Sequence, residues 1–379
     1  MTLKTARFSS FVRLAAGCLC FLTVAAVTLE TGARFLLARD AVFFKVQGND
    51  ASSYRLAWVR GRGRQETGFP LSYDQYHPVR GWTPVPGLRD AAVFFDETLS
   101  TNSRGIRGKK EYSFQKPAGI TRILTIGDSF TFGEGVRDAH TFSAYLQRML
   151  PGAEVINLGV HGYGHDQILL YLQEEGRRYH PDVVILGFLY YDLERNLFSF
   201  RDYAKPRFVG RDKNLKLSNV PVPKPGEILS REKGYSKAAD LWTIYYNRLA
   251  WEHGWNDQVM QQLGTALLER IQKTIEEMGA EPVFVYFPTE RDFDNFYDKP
   301  SEREAYFHDF CDAHGKLHCL SVRPYFLSHL KKGRDLVIYG HWDKKGHLLT
   351  ALALRDFLHR VGLVKDSAHQ RMTFSRGAL

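Results

Sequence analysis

Arg122 to Gly135 reads Arg-Ile-Leu-Thr-Ile-Gly-Asp-Ser-Phe-Thr-Phe-Gly-Glu-Gly, and the fold is decided by this stretch. Ile123 to Ile126 is a short apolar run of the kind that forms a buried central strand. The run stops at Gly127-Asp128-Ser129, with further glycines at Gly133 and Gly135. A hydroxyl therefore stands on the turn leaving the carboxyl end of a strand, where open α/β sheets place their ligands. Ser129 is the first candidate nucleophile. An Asp-Ser pair also caps helices and closes ordinary turns, so its role depends on the company it keeps along the chain.

From Arg122 onward the pattern alternates. Apolar strands at 122–126, 154–158, 183–188, 282–287 and 317–322 are separated by amphipathic stretches near 140–150, 166–179, 238–278, 301–314 and 342–361. Such alternation predicts an α/β fold: a three-layer α/β/α domain with a parallel central sheet of about five strands, covering residues 116–363. Residues 193–236 break the rhythm with Lys205-Pro206-Arg207-Phe208-Val209, Leu215-Lys216-Leu217 and Val220-Pro221-Val222-Pro223. They read as a hairpin-like insertion leaving the third strand at its carboxyl end, placed to roof a site. Upstream, 30–60 reads as a helical stalk passing into extended structure, and the Pro- and Gly-containing stretch to 115 as an irregular entry segment. The polar tail 364–379 is expected to be disordered.

The chain has 379 residues, a formal charge of +9 and a pI near 9.2, with its basic residues scattered rather than blocked. No Lys/Arg array interleaved with aromatics suggests a nucleic-acid groove, and no nucleic-acid partner is expected. Leu14 to Leu29 is uncharged and mostly apolar, and Phe11 and Val12 extend it past Arg13. A transmembrane signal anchor at 11–29 is expected, with residues 1–10 cytoplasmic because Lys4, Arg7 and Arg13 precede or flank it. The rest would then lie on the periplasmic side of a bacterial-type inner membrane. Val24-Ala25-Ala26 is a poor signal-cleavage site, and the apolar run continues well past Cys18 of a faint lipoprotein-like box.

Cys311 and Cys319 end a helical stretch and lie in the next apolar run, where an antiparallel return would bring them within disulfide range. His308, Cys311, His314, His318 and Cys319 match no standard zinc spacing, so no metal site is expected.

Three segments give Ser129 company. After the second strand comes Asn157-Leu158-Gly159-Val160-His161-Gly162-Tyr163-Gly164, whose glycines let a backbone N–H approach a substrate oxygen. After the third comes Tyr190-Tyr191-Asp192-Leu193-Glu194-Arg195-Asn196. Before the last helix comes Tyr339-Gly340-His341-Trp342-Asp343-Lys344-Lys345-Gly346-His347. A histidine there, over the same sheet edge, can take the serine proton and return it to a leaving group. Gly-x-Ser-x-Gly and the P-loop pattern are both absent.

In this order the four segments resemble the SGNH family of GDSL-type esterases and lipases, over about residues 75–365. The resemblance implies a flavodoxin-like SGNH-hydrolase fold with Ser129 as nucleophile and His341 as general base. It places Ser129 N–H and Gly162 N–H in the oxyanion hole, with Asp128 and Asp192 supporting the site and no cofactor. Two positions depart from the family pattern. Tyr191 stands where an Asn side chain would donate to the oxyanion, leaving that role to Tyr191, to Asn196 or to neither. Ile338 and Tyr339 stand where an acid would orient the base, and neither Asp335 nor Asp343 has the family spacing. A working Ser129–His341 dyad is expected, with a backbone carbonyl orienting the ring. Tyr163 and the aromatics of 188–200 are placed by position along the pocket.

The expected activity is hydrolysis of an ester, an O-acetyl group on an envelope or exported polysaccharide, with a lipid ester as a further substrate class. The alternatives are an O-acyltransferase acting on exopolysaccharide and an inactive glycan-binding protein of the same fold.

Overall fold

The computed structural model describes residues 2–61, 73–94, 97–210, 214–293, 299–330 and 338–365. The chain forms two compact units, Met1–Arg64 with Lys224–Asp257, and Gln65–Pro223 with Gln258–Leu379.

The second unit holds the expected sheet. Its strands are β1 (Thr121–Ile126), β2 (Ala153–Asn157), β3 (Val183–Phe188), β4 (Glu281–Tyr286) and β5 (His318–Ser321). They pair in the order β5-β4-β3-β1-β2, all in parallel. Such strands are covered on both faces, which is why β1 to β4 read as apolar runs rather than alternations. Ile123, Val155, Val183, Ile185, Val283 and Val285 face one core with Phe142, Leu146, Leu354 and Phe357. The latter side chains come from helices α2 (Phe142–Met149) and α8 (Lys344–Arg360). Arg122 sits inside β1 and is fully buried, yet Glu154 and the carbonyls of Phe114 and Tyr179 accept its guanidinium N–H groups.

The remaining helices that matter are α1 (Ser129–Phe132), α3 (His165–Glu174), α4 (Tyr191–Arg195), α5 (Trp255–Glu277), α6 (Glu302–Ala313) and α7 (Arg323–Leu330). The order 2-1-3 puts the loops after β1, β2 and β3 side by side, at the point where the winding of the sheet reverses. A hairpin of Asp74–His77 and Gly81–Pro84 precedes the sheet. Cys311 and Cys319 form a disulfide between α6 and β5, with Cα atoms 6.3 Å apart. Their sulfurs are therefore unavailable to a metal.

The first unit is helical, with Thr2–Ala38, Asp40–Val46, Ala51–Gly61, Pro225–Glu232 and Lys237–Glu252. Two expectations change here. Residues 30–60 are helical apart from short breaks instead of passing into extended structure, and 224–257 groups with the amino-terminal helices rather than with the sheet. Leu37, Phe43, Leu56 and Ile244 make a core too small to show as a long periodic pattern in any one of these helices. Glu30 accepts from Ser236 Oγ and from the N–H groups of Lys237 and Ala238, capping helix Lys237–Glu252 from another part of the chain. Arg13–Ala38 is long and apolar enough to cross a membrane. The insertion contains the expected hairpin, Arg207–Val209 with Lys216–Ser218. Asp335 and all of the tail from 366 lie outside the described residues.

Candidate active site

Ser129 opens α1, and Asp128 caps it by accepting from Phe130 N–H at 3.0 Å. The capping reading of Asp128 therefore holds, and the cap leaves the Ser129 hydroxyl facing His341. Ser129 Oγ lies 2.8 Å from His341 Nε2 and 3.3 Å from Asp128 Oδ2, so its one proton has two acceptors in reach. The serine is buried, while about a third of the His341 side chain is exposed.

His341 is held from behind. Its ring lies 5.0 Å from that of Phe130, and the adjacent Trp342 is buried among Phe130, Phe287 and Phe326. Trp342 Nε1–H donates to the Pro288 carbonyl at 3.0 Å. Among the described residues, the carboxylate recorded beside His341 is Glu134, 3.7 Å from Nε2, on the same nitrogen that faces the serine. Asp343 is occupied elsewhere, accepting from Lys345 and Gly346 N–H at 2.9 Å each to cap α8. His341 is thus positioned by packing at one end and has a carboxylate near Nε2, the nitrogen that faces Ser129.

The loops after β1 and β2 touch. A Cβ on Gly159 would lie 2.3 Å from Phe132 N, a backbone atom that cannot yield. Asn157 clamps the two loops, donating to Thr131 O at 2.8 Å and accepting from Gly159 N–H at 2.9 Å. Gly162 adopts φ +70°, and the N–H groups of Ser129 and Gly162 have no recorded partner among the described residues. Two donors without a partner among the described residues, on adjoining loops beside the Ser129 hydroxyl, form an arrangement suited to a developing oxyanion.

In the third loop, both side-chain candidates have partners elsewhere. The Tyr191 ring lies 4.5 Å from the Arg303 guanidinium and packs toward the core. Asn196 is fully buried, its Nδ2 3.2 Å from His165 Nδ1 and its Oδ1 accepting from Asp166 N–H at 3.3 Å. Among the described residues, no hydrogen bond joins either of them to Ser129. Asp192 is buried, and that burial together with the nearby Asp128 charge pushes its carboxyl well above the usual range. Arg195 joins the loops: Nη1 donates to Asp128 Oδ2 at 3.0 Å, to Asp192 Oδ1 at 2.5 Å and to Tyr163 O at 3.0 Å. Burial opposes its charge, but Asp192, Asp128 and Asp202 outweigh that cost and raise its pKa.

The entry hairpin, whose sequence suggests only packing, forms a wall of the second loop. Trp82 is fully buried and donates from Nε1 to His161 O at 3.0 Å, and Tyr163 OH donates to Trp82 O. Tyr163 is thus a buried strut and not a pocket wall. His161 Nε2 lies 2.7 Å from Asp74, and the attraction of that carboxylate outweighs burial to raise the histidine pKa. From the insertion, Asp202 comes against Gly162, its Oδ2 only 2.5 Å from where a Cβ would be. Nothing in the spacing of Asp74, Trp82 or Asp202 announces them, because each meets the loop through a long-range contact.

No family model and no curated protein matches the chain. Among solved structures it is similar to a member of the lipolytic protein G-D-S-L family from Veillonella parvula, at 11% identity and TM-score 0.40 over 63% of this chain and 99% of that one. It is also similar to the psychrotrophic esterase EstA from Pseudoalteromonas, at 16% identity and TM-score 0.37 over 64% and 99%. A two-domain esterase active on acetylated mannans matches at 14% identity and TM-score 0.38 over 65% and 51%. At these values the chemistry has to be read from the site itself.

Proposed function

We propose that the chain is a membrane-anchored serine ester hydrolase of the SGNH type, acting through a Ser129–His341 dyad. The observation that carries this reading is the 2.8 Å contact between Ser129 Oγ and His341 Nε2 at the carboxyl edge of a parallel sheet. Ser129 Oγ attacks the acyl carbon while its proton passes to Nε2. The oxyanion rests on Ser129 N–H and Gly162 N–H. Collapse of the tetrahedral species returns the proton to the leaving alcohol and leaves the acyl group on Ser129. Water then attacks, its proton again taken by His341, and the carboxylic acid and free serine are released.

The substrate we infer is an O-acetyl ester on an exported or envelope polysaccharide, with the catalytic unit outside the cytoplasmic membrane. An anchored domain suits a polymer that cannot diffuse to it, and the length and apolarity of Arg13–Ala38 support the anchor. Full-length protein in detergent should turn over p-nitrophenyl acetate, and a serine-directed phosphonate should label Ser129. Ser129→Ala should do neither. Equal slow turnover by both proteins, with no labelling, would remove the enzyme reading. With an acetylated oligosaccharide, release of acetate supports hydrolysis, and acetylated sugar acceptor supports transfer. Retention in the membrane at alkaline pH with an intact amino terminus is expected of the anchor.

A further inference from the structure

The site lacks a side-chain donor where the family pattern has Asn, and both substitutes suggested by sequence, Tyr191 and Asn196, are committed elsewhere. It also gathers negative charge. Asp128, Asp202 and Glu134 all lie within interaction range of the groups around Ser129 and Gly162. A tetrahedral intermediate adds another negative charge in this partly desolvated place. Two backbone dipoles alone would have to stabilise it against those carboxylates.

Arg195 is the cation that meets these elements. It lies one helical turn after Tyr191 on α4, so it shares that residue's face, and long helical side chains lean back toward the amino terminus. Its guanidinium shares Asp128 Oδ2 with the nucleophile's own hydroxyl, and it touches the carbonyl of the residue after Gly162. All three recorded bonds leave from Nη1. Nε and Nη2 have no recorded partner among the described residues, and the side chain keeps 13% exposure. An arginine held by one nitrogen, with its other donors open, is placed to receive an anion.

We infer that Arg195 is a catalytic residue of the ester hydrolysis proposed above, the third oxyanion donor and the charge that replaces the absent Asn amide. It also engages Asp128 Oδ2, which leaves His341 Nε2 as the better acceptor for the Ser129 proton. This assignment rests on the ester-hydrolase reading.

The test uses the full-length protein with Arg195→Met, Arg195→Lys and p-nitrophenyl acetate. Arg195→Met should lower kcat on the order of 100-fold with KM nearly unchanged, as for loss of an oxyanion donor. Arg195→Lys should retain more activity than Arg195→Met, because the charge stays. Millimolar guanidinium ion should raise kcat of Arg195→Met, a rescue that a purely structural role would not give. Where Arg195→Met does not fold, the kcat, KM and phosphonate-labelling rate of Arg195→Lys decide. A folded Arg195→Met with wild-type kcat would overturn the assignment while leaving the ester reading intact. So would equally impaired variants with no guanidinium rescue and a wild-type rate of Ser129 labelling. If the wild-type chain neither turns over ester nor is labelled at Ser129, both readings fall together.

Discussion

Replacing Gly162 by alanine isolates the second loop's contribution to the reaction. At φ +70° an L-residue costs about 1–2 kcal/mol relative to glycine. The added Cβ would stand 2.5 Å from Asp202 Oδ2 and 3.3 Å from Trp82 Cζ2. Asp202 is partly exposed and able to swing aside, but Trp82 is fully buried and tied to His161 O. The loop therefore has to move, and the Gly162 N–H moves with it. Loss of one such donor costs roughly 10²–10³ in kcat, or about 2.7–4 kcal/mol. The stability change is smaller, lowering Tm by a few degrees, at about 2–4 °C per kcal/mol for a unit of this size. Turnover of p-nitrophenyl acetate and thermal unfolding, measured on the same sample, separate the two effects. Adding Asp202→Ala removes the closest contact and should return on the order of tenfold, a coupling typical of touching residues. Wild-type kcat in Gly162→Ala, alongside an inactive Ser129→Ala, would refute the placement of this N–H in the oxyanion hole.

Lys205 and Asp166 are both fully buried, and burial lowers the lysine pKa and raises that of the aspartate even though they are paired. Lys205→Met should cost about 3–5 kcal/mol in urea unfolding, with much of it regained in Lys205→Met/Asp166→Leu; a single variant as stable as wild type would contradict this. Cys311→Ser opens a bridge with a sequence separation of 8 and should cost about 2.5 kcal/mol, read as a lower urea midpoint relative to the oxidised protein. His347 and His165 are fully buried, and burial holds both near a pKa of about 3 against 6.5 for the free group. The folded state thus binds fewer protons than the unfolded one between those values. Their contribution is complete above about pH 6.5 and is lost as pH falls toward 3, by up to about 1.4 kcal/mol per unit for each. His347→Gln, which keeps an acceptor for Phe142 N–H, should show a smaller Tm drop from pH 7 to 5, and an equal drop would count against the assignment.

The parallel sheet was legible because its strands are buried on both faces and short enough to read locally. Each of the five observed strands lies within a residue or two of its apolar run, and Ser129 sits on the turn that Gly127-Asp128 announces. That His341 lies over the same edge was an inference from order along the chain, and the 2.8 Å contact came only with the fold. The first unit was legible only in part: its amino-terminal helix and Lys237–Glu252 read as helical, but Ala51–Gly61 and Pro225–Glu232 did not, nor did the grouping, since Glu30 and Ile244 meet partners about 200 residues away.

By itself the sequence determined the layer architecture and singled out Ser129 and His341 as the candidate nucleophile and base, because local periodicity and loop glycines act over a few residues. Tertiary structure alone decided what surrounds them. It turned Tyr191 toward Arg303, sealed Asn196 against His165, and brought Arg195 to Asp128, Trp82 to the second loop and Asp202 to Gly162. These outcomes depend on which buried polar groups find partners across the whole unit, and no local pattern carries that competition.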